Sequence, residues 1–196
     1  MGNMECEICQ DHLTDVLGAG RPQRLLEAIQ QGLAAKAGSG AGDRKEETEG
    51  SGATMLELEC RVCPNTGPAK SARAYLEAPP PKVVLCANRL GSRAEVESAV
   101  VHELVHAYDY LVAGVQLLDC QSLAYSEVRA AKAAECSKNA RSFACSHFRK
   151  KCVRSTAVRS TEGLFPGKGA ACVDAVFADA YQDHSPHGDD DKNGDG

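Results

Sequence analysis

One short run constrains the fold of this 196-residue chain more than any other, the pentad His102-Glu103-Leu104-Val105-His106. Residues four apart lie on the same face of an α-helix, so both histidines can reach one ion only if the run is helical. The residues from 99 to 109 are mostly small or apolar, and no proline interrupts them. The pentad therefore predicts a partly buried helix with two imidazoles on one face.

The pentad has the HExxH pattern of zinc peptidases, in which two histidines bind the metal and the glutamate acts as general base. The simpler alternative is a partly buried helix whose two histidines bind no metal and hydrogen-bond to carbonyls. Burying two histidines and a glutamate without a metal, however, costs free energy. We therefore predict one catalytic Zn²⁺, with His102 and His106 as ligands and Glu103 as the base.

A catalytic zinc ion needs a third protein ligand, and two carboxylates are candidates. Asp109 follows His106 by three residues, but its short side chain is better placed to hydrogen-bond a ligand histidine. Glu127 follows His106 by 21 residues, which leaves room for a turn and a returning helix. We favour Glu127 as the ligand and assign Asp109 the supporting hydrogen bond.

A side-chain donor usually helps to stabilise the oxyanion in such sites. The sequence offers four candidates and does not choose among them: Tyr125, His147, Tyr181 and His184.

Composition limits the partners and the compartment. The net charge of -5 provides no basic surface for nucleic acid, and no apolar run approaches the roughly 20 residues of a transmembrane helix. Ten cysteines indicate either disulfides in an oxidising compartment or metal ligation in a reducing one. The first residues lack the pattern of a secretory signal, so we expect a compartment that is oxidising without requiring one.

Two CxxC pairs allow a rival interpretation of the cysteines. Cys6-x-x-Cys9 and Cys60-x-x-Cys63 could form a four-cysteine structural zinc site. Their separation across a flexible linker is longer than the usual spacing of such sites, so disulfides are favoured.

The patterns predict an α+β fold in four segments. An N-terminal helical arm with a CxxC pair covers residues 1–37, broken near Gly18 and Gly20, and a Gly- and Ser-rich linker covers 38–54. The main domain covers 55–187, and an acidic disordered tail covers 188–196.

Within the main domain, short strands come first and helices follow. Residues 56–62, 72–76 and 82–86 predict a small antiparallel sheet. The pentad helix starts at Ser92, with Glu95 completing a capping box. Three further helices are predicted near residues 122–139, 144–153 and 171–181.

Several segments resemble one family, the mitochondrial inner-membrane metalloproteases that process and help assemble the ATP synthase. The resemblance covers about residues 55–187 and rests on these motifs: His102-Glu-Leu-Val-His-Ala-Tyr-Asp109, Ser126-Glu-Val-Arg-Ala-Ala131 followed by Cys136, Cys152-Val153, Val173-Asp-Ala-Val-Phe177, Cys60-x-x-Cys63 and Val84-Leu-Cys86.

The resemblance implies a gluzincin-like, and hence zincin-like, domain whose HExxH is His102, Glu103 and His106 and whose third ligand is Glu127. It implies a disulfide-rich peptidase lying peripherally on the inner membrane, on the intermembrane-space side. The implied substrate is a polypeptide, an ATP synthase membrane subunit of the subunit 6 type.

Two departures from the family bear on function. Asp183-His-Ser-Pro-His187 ends in His where the family commonly has Phe, and the linker is longer and richer in glycine. Two other functions therefore stay open. One is a non-proteolytic assembly chaperone of the ATP synthase membrane sector, and the other is a disulfide- or zinc-stabilised binding module with a vestigial HExxH.

Overall fold

The computed structural model describes residues 2–18, 20–39, 56–67, 70–137 and 143–186, so most of the predicted linker and all of the predicted tail lie outside it. In the described residues the fold is α+β, with six α-helices, one short 3-10 helix and three strands. In chain order they are α1 (Gly2–Leu17), α2 (Gly20–Ser39), β1 (Glu57–Arg61), β2 (Ala74–Glu77), β3 (Lys82–Cys86), the 3-10 helix (Ala87–Arg89), α3 (Arg93–Leu111), α4 (Cys120–Ala133), α5 (Phe143–Leu164) and α6 (Gly169–Gln182).

Helix α3 contains the pentad and begins at the predicted N-cap. The Ser92 hydroxyl accepts a hydrogen bond from the Glu95 amide at 3.3 Å, and the Glu95 carboxylate accepts one from the Gly91 amide at 2.9 Å. One face of the helix is fully buried at every fourth residue, at Val96, Val100 and Leu104. The burial of this face fixes the rotation of α3, and therefore the direction in which the histidines point.

The sheet is mixed rather than antiparallel, so that part of the prediction was wrong. The strand order is β1-β3-β2, with β1 parallel to β3 and β2 antiparallel to it. Strand β3 is central because four successive residues, Val83 to Cys86, are fully buried on both of its faces. Strand β2 comes between β1 and β3 in the chain, so β1 and β3 are not joined as a hairpin.

The N-terminal arm forms two helices that share the core of α3. Gly20 begins α2 with a φ of 72°, a conformation that other residues rarely adopt. Buried residues of both helices lie in one apolar cluster with the inner face of α3: Cys9, Leu13, Val16, Leu25 and Ile29. The arm is thus packed into the fold around the pentad.

The C-terminal helices α4, α5 and α6 form a second apolar cluster. Its buried members include Val128 on α4, Val153 and Ala157 on α5, and Val173 and Ala180 on α6. Among the described residues, no helix is long and apolar enough to cross a membrane.

Four disulfides join these elements: Cys9–Cys60, Cys63–Cys86, Cys120–Cys172 and Cys136–Cys152. The alternative of a four-cysteine zinc site was wrong, because three of its four sulfurs are bonded as disulfides. Cys6 is the one described cysteine in no disulfide, and the side chain of Cys145 is outside the described part.

Candidate metal centre and active site

Helices α3 and α4 bring three potential metal ligands together. His102 and His106 project from α3, and Glu127 projects from the facing side of α4. One ligand atom from each residue lies within 4.8 Å of the others, and His106 and Glu127 are buried. Asp109 is not a member of this cluster, so of the two candidates for a third ligand it is Glu127 that lies beside both histidines.

The spacing of these atoms fits a tetrahedral zinc site. The two Nε2 atoms are 3.1 Å apart, and Glu127 oxygens lie 3.2 Å from Nε2 of His102 and 3.4 Å from Nε2 of His106. Ligands at about 2.0–2.1 Å from a tetrahedral ion are separated from each other by about 3.3 Å. The three measured separations are close to that value.

The polar groups of the cluster also indicate a cation. Oε2 of Glu127 is buried and has no hydrogen bond of acceptable geometry, although His102 lies at ion-pair distance. Leaving a carboxylate oxygen buried without a donor costs free energy that a bound cation would recover. The donor set of two imidazoles and one carboxylate is that of a catalytic zinc site.

A buried chain of hydrogen bonds fixes the orientation of His106. The Ser126 hydroxyl lies 2.7 Å from His106 Nδ1 and donates to Asp109 Oδ2 at 2.6 Å. A carboxylate only accepts, so Ser126 must accept from Nδ1–H of His106, which leaves the Nε2 lone pair toward the cluster. Asp109 thus supports His106 through Ser126, and not by the direct bond we predicted, because the Ser126 hydroxyl lies between the two side chains.

His102 has a hydrogen-bond partner of its own, Glu135, which the sequence patterns did not predict. Its Nδ1 lies 3.2 Å from the Glu135 carboxylate, in the turn after α4. The same argument makes Nδ1 the donor and directs the Nε2 lone pair to the cluster. A sequence signal exists for both missed partners, since Ser126 precedes Glu127 and Glu135 follows it by eight residues, near two helical turns.

The electrostatics of the site are consistent with a cation-binding cluster. Burial alone would lower the pKa of His102, but the neighbouring carboxylates of Glu127 and Glu135 raise it well above its usual value. Burial also opposes ionisation of Glu127, yet the two histidines hold its pKa far below the usual range. The site therefore favours an anionic Glu127 beside positive charge.

Glu103, the predicted general base, is buried next to the cluster on α3. Burial raises its pKa, the two histidines oppose this rise, and the carboxylates of Glu127 and Glu135 add to it. A carboxylate with a raised pKa is better suited to accept a proton and release it again near neutral pH.

The candidate oxyanion donors lie in different surroundings. The Tyr125 hydroxyl donates to Asp183 at 2.9 Å, so it would have to leave this bond to reach a substrate. Tyr181 stacks on Phe177, His184 lies 3.5 Å from Nζ of Lys132, and His147 is exposed on α5. The assignment of an oxyanion donor stays a prediction.

A family model described as the peptidase M76 family matches residues 43–188. Three similar proteins carry the name mitochondrial inner membrane protease ATP23 or its homolog. The one from Lodderomyces elongisporus is 27% identical over 195 residues, covering 94% of this chain and 73% of the relative. The Danio rerio protein is 30% identical over 150 residues, and the Homo sapiens protein is 35% identical over 117 residues.

The two animal matches cover 70% and 55% of this chain. The aligned residues span 57% of the length of the Danio rerio relative and 47% of the length of the human one. No solved structure matches the chain significantly. The family match includes α3, α4 and both histidines.

Proposed function

Because this chain belongs to the peptidase M76 family, we propose that it is a zinc-dependent endopeptidase. His102, His106 and Glu127 bind the ion and Glu103 is the general base. Asp109 supports His106 through Ser126. One observation carries the proposal: two oriented imidazoles and an anionic carboxylate converge at the edge lengths of a tetrahedral zinc site.

Each residue has a defined task in peptide hydrolysis. A bound zinc ion would polarise the peptide carbonyl and lower the pKa of the attacking water. Glu103 takes the proton from this water and then transfers it to the leaving amine. As zinc ligands His102 and His106 would be neutral, and their bonds to Glu135 and Ser126 hold the two imidazoles in orientation.

The biological setting follows from the relatives and the resemblance. The relatives are named mitochondrial inner membrane proteases, and we propose a peripheral position on that membrane, facing the intermembrane space. The proposed substrate is an ATP synthase membrane subunit of the subunit 6 type, which the protein processes and helps to assemble. The sheet followed by the HExxH helix and a returning helix with Glu127 supports a zincin-like fold.

The decisive experiment replaces Glu103 with Gln. This change removes the base but none of the three ligands, so the variant should bind one zinc per chain and lose at least about 100-fold in peptide cleavage. Glu97→Gln on the exposed face of α3 is the matched control, and it should keep full activity. Cleavage at the normal rate by zinc-loaded Glu103→Gln protein would contradict the proposal.

The same variant separates proteolysis from assembly. In cells that lack the native protein, Glu103→Gln should restore neither maturation nor assembly if processing is required for assembly. Restored assembly without processing would favour the chaperone alternative. Absence of zinc from the wild-type protein would favour a binding module with a vestigial pentad.

A further inference from the structure

Two buried cations on α4 hold the end of α6 and the residues that follow it, which we call the C-terminal strap (residues 181–185). Arg129 is only 5% exposed and Lys132 is 9% exposed. Lys132 Nζ donates to the Tyr181 carbonyl at 2.6 Å and to that of Asp183 at 3.4 Å. Such cations are rarely buried without partners, and here the strap provides those partners.

Arg129 connects the strap to the buried network of the metal centre. Its Nη1 donates to Asp109 Oδ1. Its Nε lies 3.1 Å from Asp183 Oδ2 in an ion pair without hydrogen-bond geometry. Its Nη2 donates to the carbonyl and hydroxyl of Ser185. The guanidinium is planar and has a fixed arrangement of donors, so fixing one edge of it also fixes the other.

The contacts thus form one continuous path from the strap to a metal ligand. Asp183 and Ser185 hold Arg129, Arg129 holds Asp109, Asp109 accepts from Ser126, and Ser126 accepts from His106 Nδ1. The interior part of this path is excluded from water, since Asp109 and Ser126 are both fully buried.

We propose that the C-terminal strap is a positioning element of the metal centre, with Asp183 acting on His106 through Arg129, Asp109 and Ser126. The inference rests on the proposed function, because it requires His106 to be a zinc ligand. It assigns a role to Asp183 that the ligand set alone does not give.

Asp183 would act on the metal centre by limiting the position of Arg129, and through Arg129 the position of Asp109. Without Asp183, Arg129 keeps its bond to Asp109 but loses an ionic partner that limits where the guanidinium can lie. Asp109 then holds the Ser126 hydroxyl less firmly, and Nδ1–H of His106 has a less defined acceptor. Partners of this kind orient ligand histidines and contribute to metal affinity.

The test compares two Asp→Asn variants that each weaken an Arg–Asp pair. Asp183→Asn removes the charge in the strap, whereas Asp174→Asn on α6 weakens the exposed pair with Arg154 on α5, bonded at 2.7 and 2.8 Å. Zinc affinity of the metal-free proteins is measured by competition with a chelator. We expect Asp183→Asn to weaken binding by about 3- to 10-fold and Asp174→Asn to stay within about twofold.

Coupling to Ser126 shows whether the effect follows the proposed path. Ser126→Ala should itself weaken zinc binding by about 10-fold or more. In that background Asp183→Asn should have little further effect, because the connection to His106 is already broken. Nitrogen-15 NMR of the histidines gives a second readout, in which His106 should lose its slowly exchanging Nδ1–H in the Asp183→Asn protein.

Tyr125→Phe serves as a milder variant if Asp183→Asn does not fold, because it removes one donor from Asp183 Oδ2 and should weaken zinc binding in the same direction. Unchanged zinc affinity in the folded strap variants would overturn the inference. An equal loss in the presence and absence of Ser126 would also overturn it. If the wild-type protein does not bind zinc at all, the proposed function fails instead, so the two failures are distinguishable.

Discussion

His102 and His106 are oriented by partners of different kinds. Nδ1 of His106 meets a buried hydroxyl, whereas Nδ1 of His102 meets the carboxylate of Glu135 directly. A carboxylate partner makes an imidazole a stronger donor to a metal than a hydroxyl does. The Glu135 side chain is 33% exposed, so the support of His102 is also the one that solvent can reach.

We predict that Glu135→Ala weakens zinc binding by about 10-fold or more, because His102 loses the acceptor that fixes its tautomer. Glu135→Gln should weaken zinc binding less, since the amide carbonyl oxygen of the new side chain can still accept a hydrogen bond from Nδ1–H of His102. Chelator competition on metal-free protein measures both, and Glu97→Gln on the exposed face of α3 is the control. An affinity that is equal in all three variants would exclude this role for Glu135.

The residues of the centre differ in how far sequence could locate them. Helical spacing alone was enough to predict that His102 and His106 share a face, and chain separation made Glu127 the better third ligand. Ser126 and Glu135 lie close to Glu127 in the chain, but which histidine each one contacts depends on the rotation of α4 against α3. That rotation is set by packing in two apolar clusters and has no local signature.

At the scale of elements, α2 docks closely on the C-terminal end of α3. A Cβ built on Gly32 would lie 2.8 Å from Val112 Cγ2 and closer still to Cγ1, so only glycine fits this contact. The Lys36 ammonium donates to the Leu111 carbonyl at 2.9 Å, where a helix end has unpaired acceptors and a negative dipole. The N-terminal arm therefore fixes the helix that carries the histidines.

Gly32→Ala should lower the free energy of unfolding by about 1–3 kcal/mol, since the new methyl group overlaps Val112. Urea denaturation measures the loss. The double variant Gly32→Ala with Val112→Ala removes the overlap, and it should be more stable than the sum of the two single changes predicts. Simple additivity would show that the close contact is not maintained in solution.

In the sheet, the hydrophobic pattern predicts where the strands lie but not how all of them pair. The three strands were placed within a few residues, because alternating or continuous apolar runs mark them. The antiparallel pairing of β2 with β3 was also predicted correctly, but the parallel pairing of β1 with β3 was not. A run such as Val83 to Cys86 shows that a strand is buried on both faces, but not which strand lies on each side. The parallel pairing of β1 and β3 joins strands that are not consecutive in the chain, and no periodic pattern in the sequence marks such a pairing.

In the molecule as a whole, α4 joins the two apolar clusters. Ala130 and Ala134 belong to the cluster around α3, and Ala124, Val128 and Ala131 belong to the one shared with α5 and α6. Small side chains allow close approach on both sides of α4. The candidate metal centre lies at this junction, so the relative placement of the clusters sets the distance between Glu127 and the histidines.

Two disulfides hold α4 to the C-terminal helices, and they should affect stability and zinc binding in opposite order. Cys120–Cys172 closes 52 residues and Cys136–Cys152 closes 16. From loop-closure entropy, replacing the pairs with serine should cost about 4 and about 3 kcal/mol of unfolding free energy, respectively. Urea denaturation of the two paired-serine variants tests this order.

Zinc affinity should follow the reverse order, because Cys136 is the residue next to Glu135. Losing the Cys136–Cys152 bond frees the turn that holds the Glu135 carboxylate against His102, so zinc binding should weaken by about 10-fold, as for other partners of ligand histidines. Cys120 precedes Glu127 by seven residues, about 10 Å along α4, and its loss should change zinc binding far less. Chelator competition in native buffer, on the variants that stay folded there, measures both affinities. If the larger loss of affinity accompanied the Cys120–Cys172 variant, zinc binding would follow global stability and not the local support of His102.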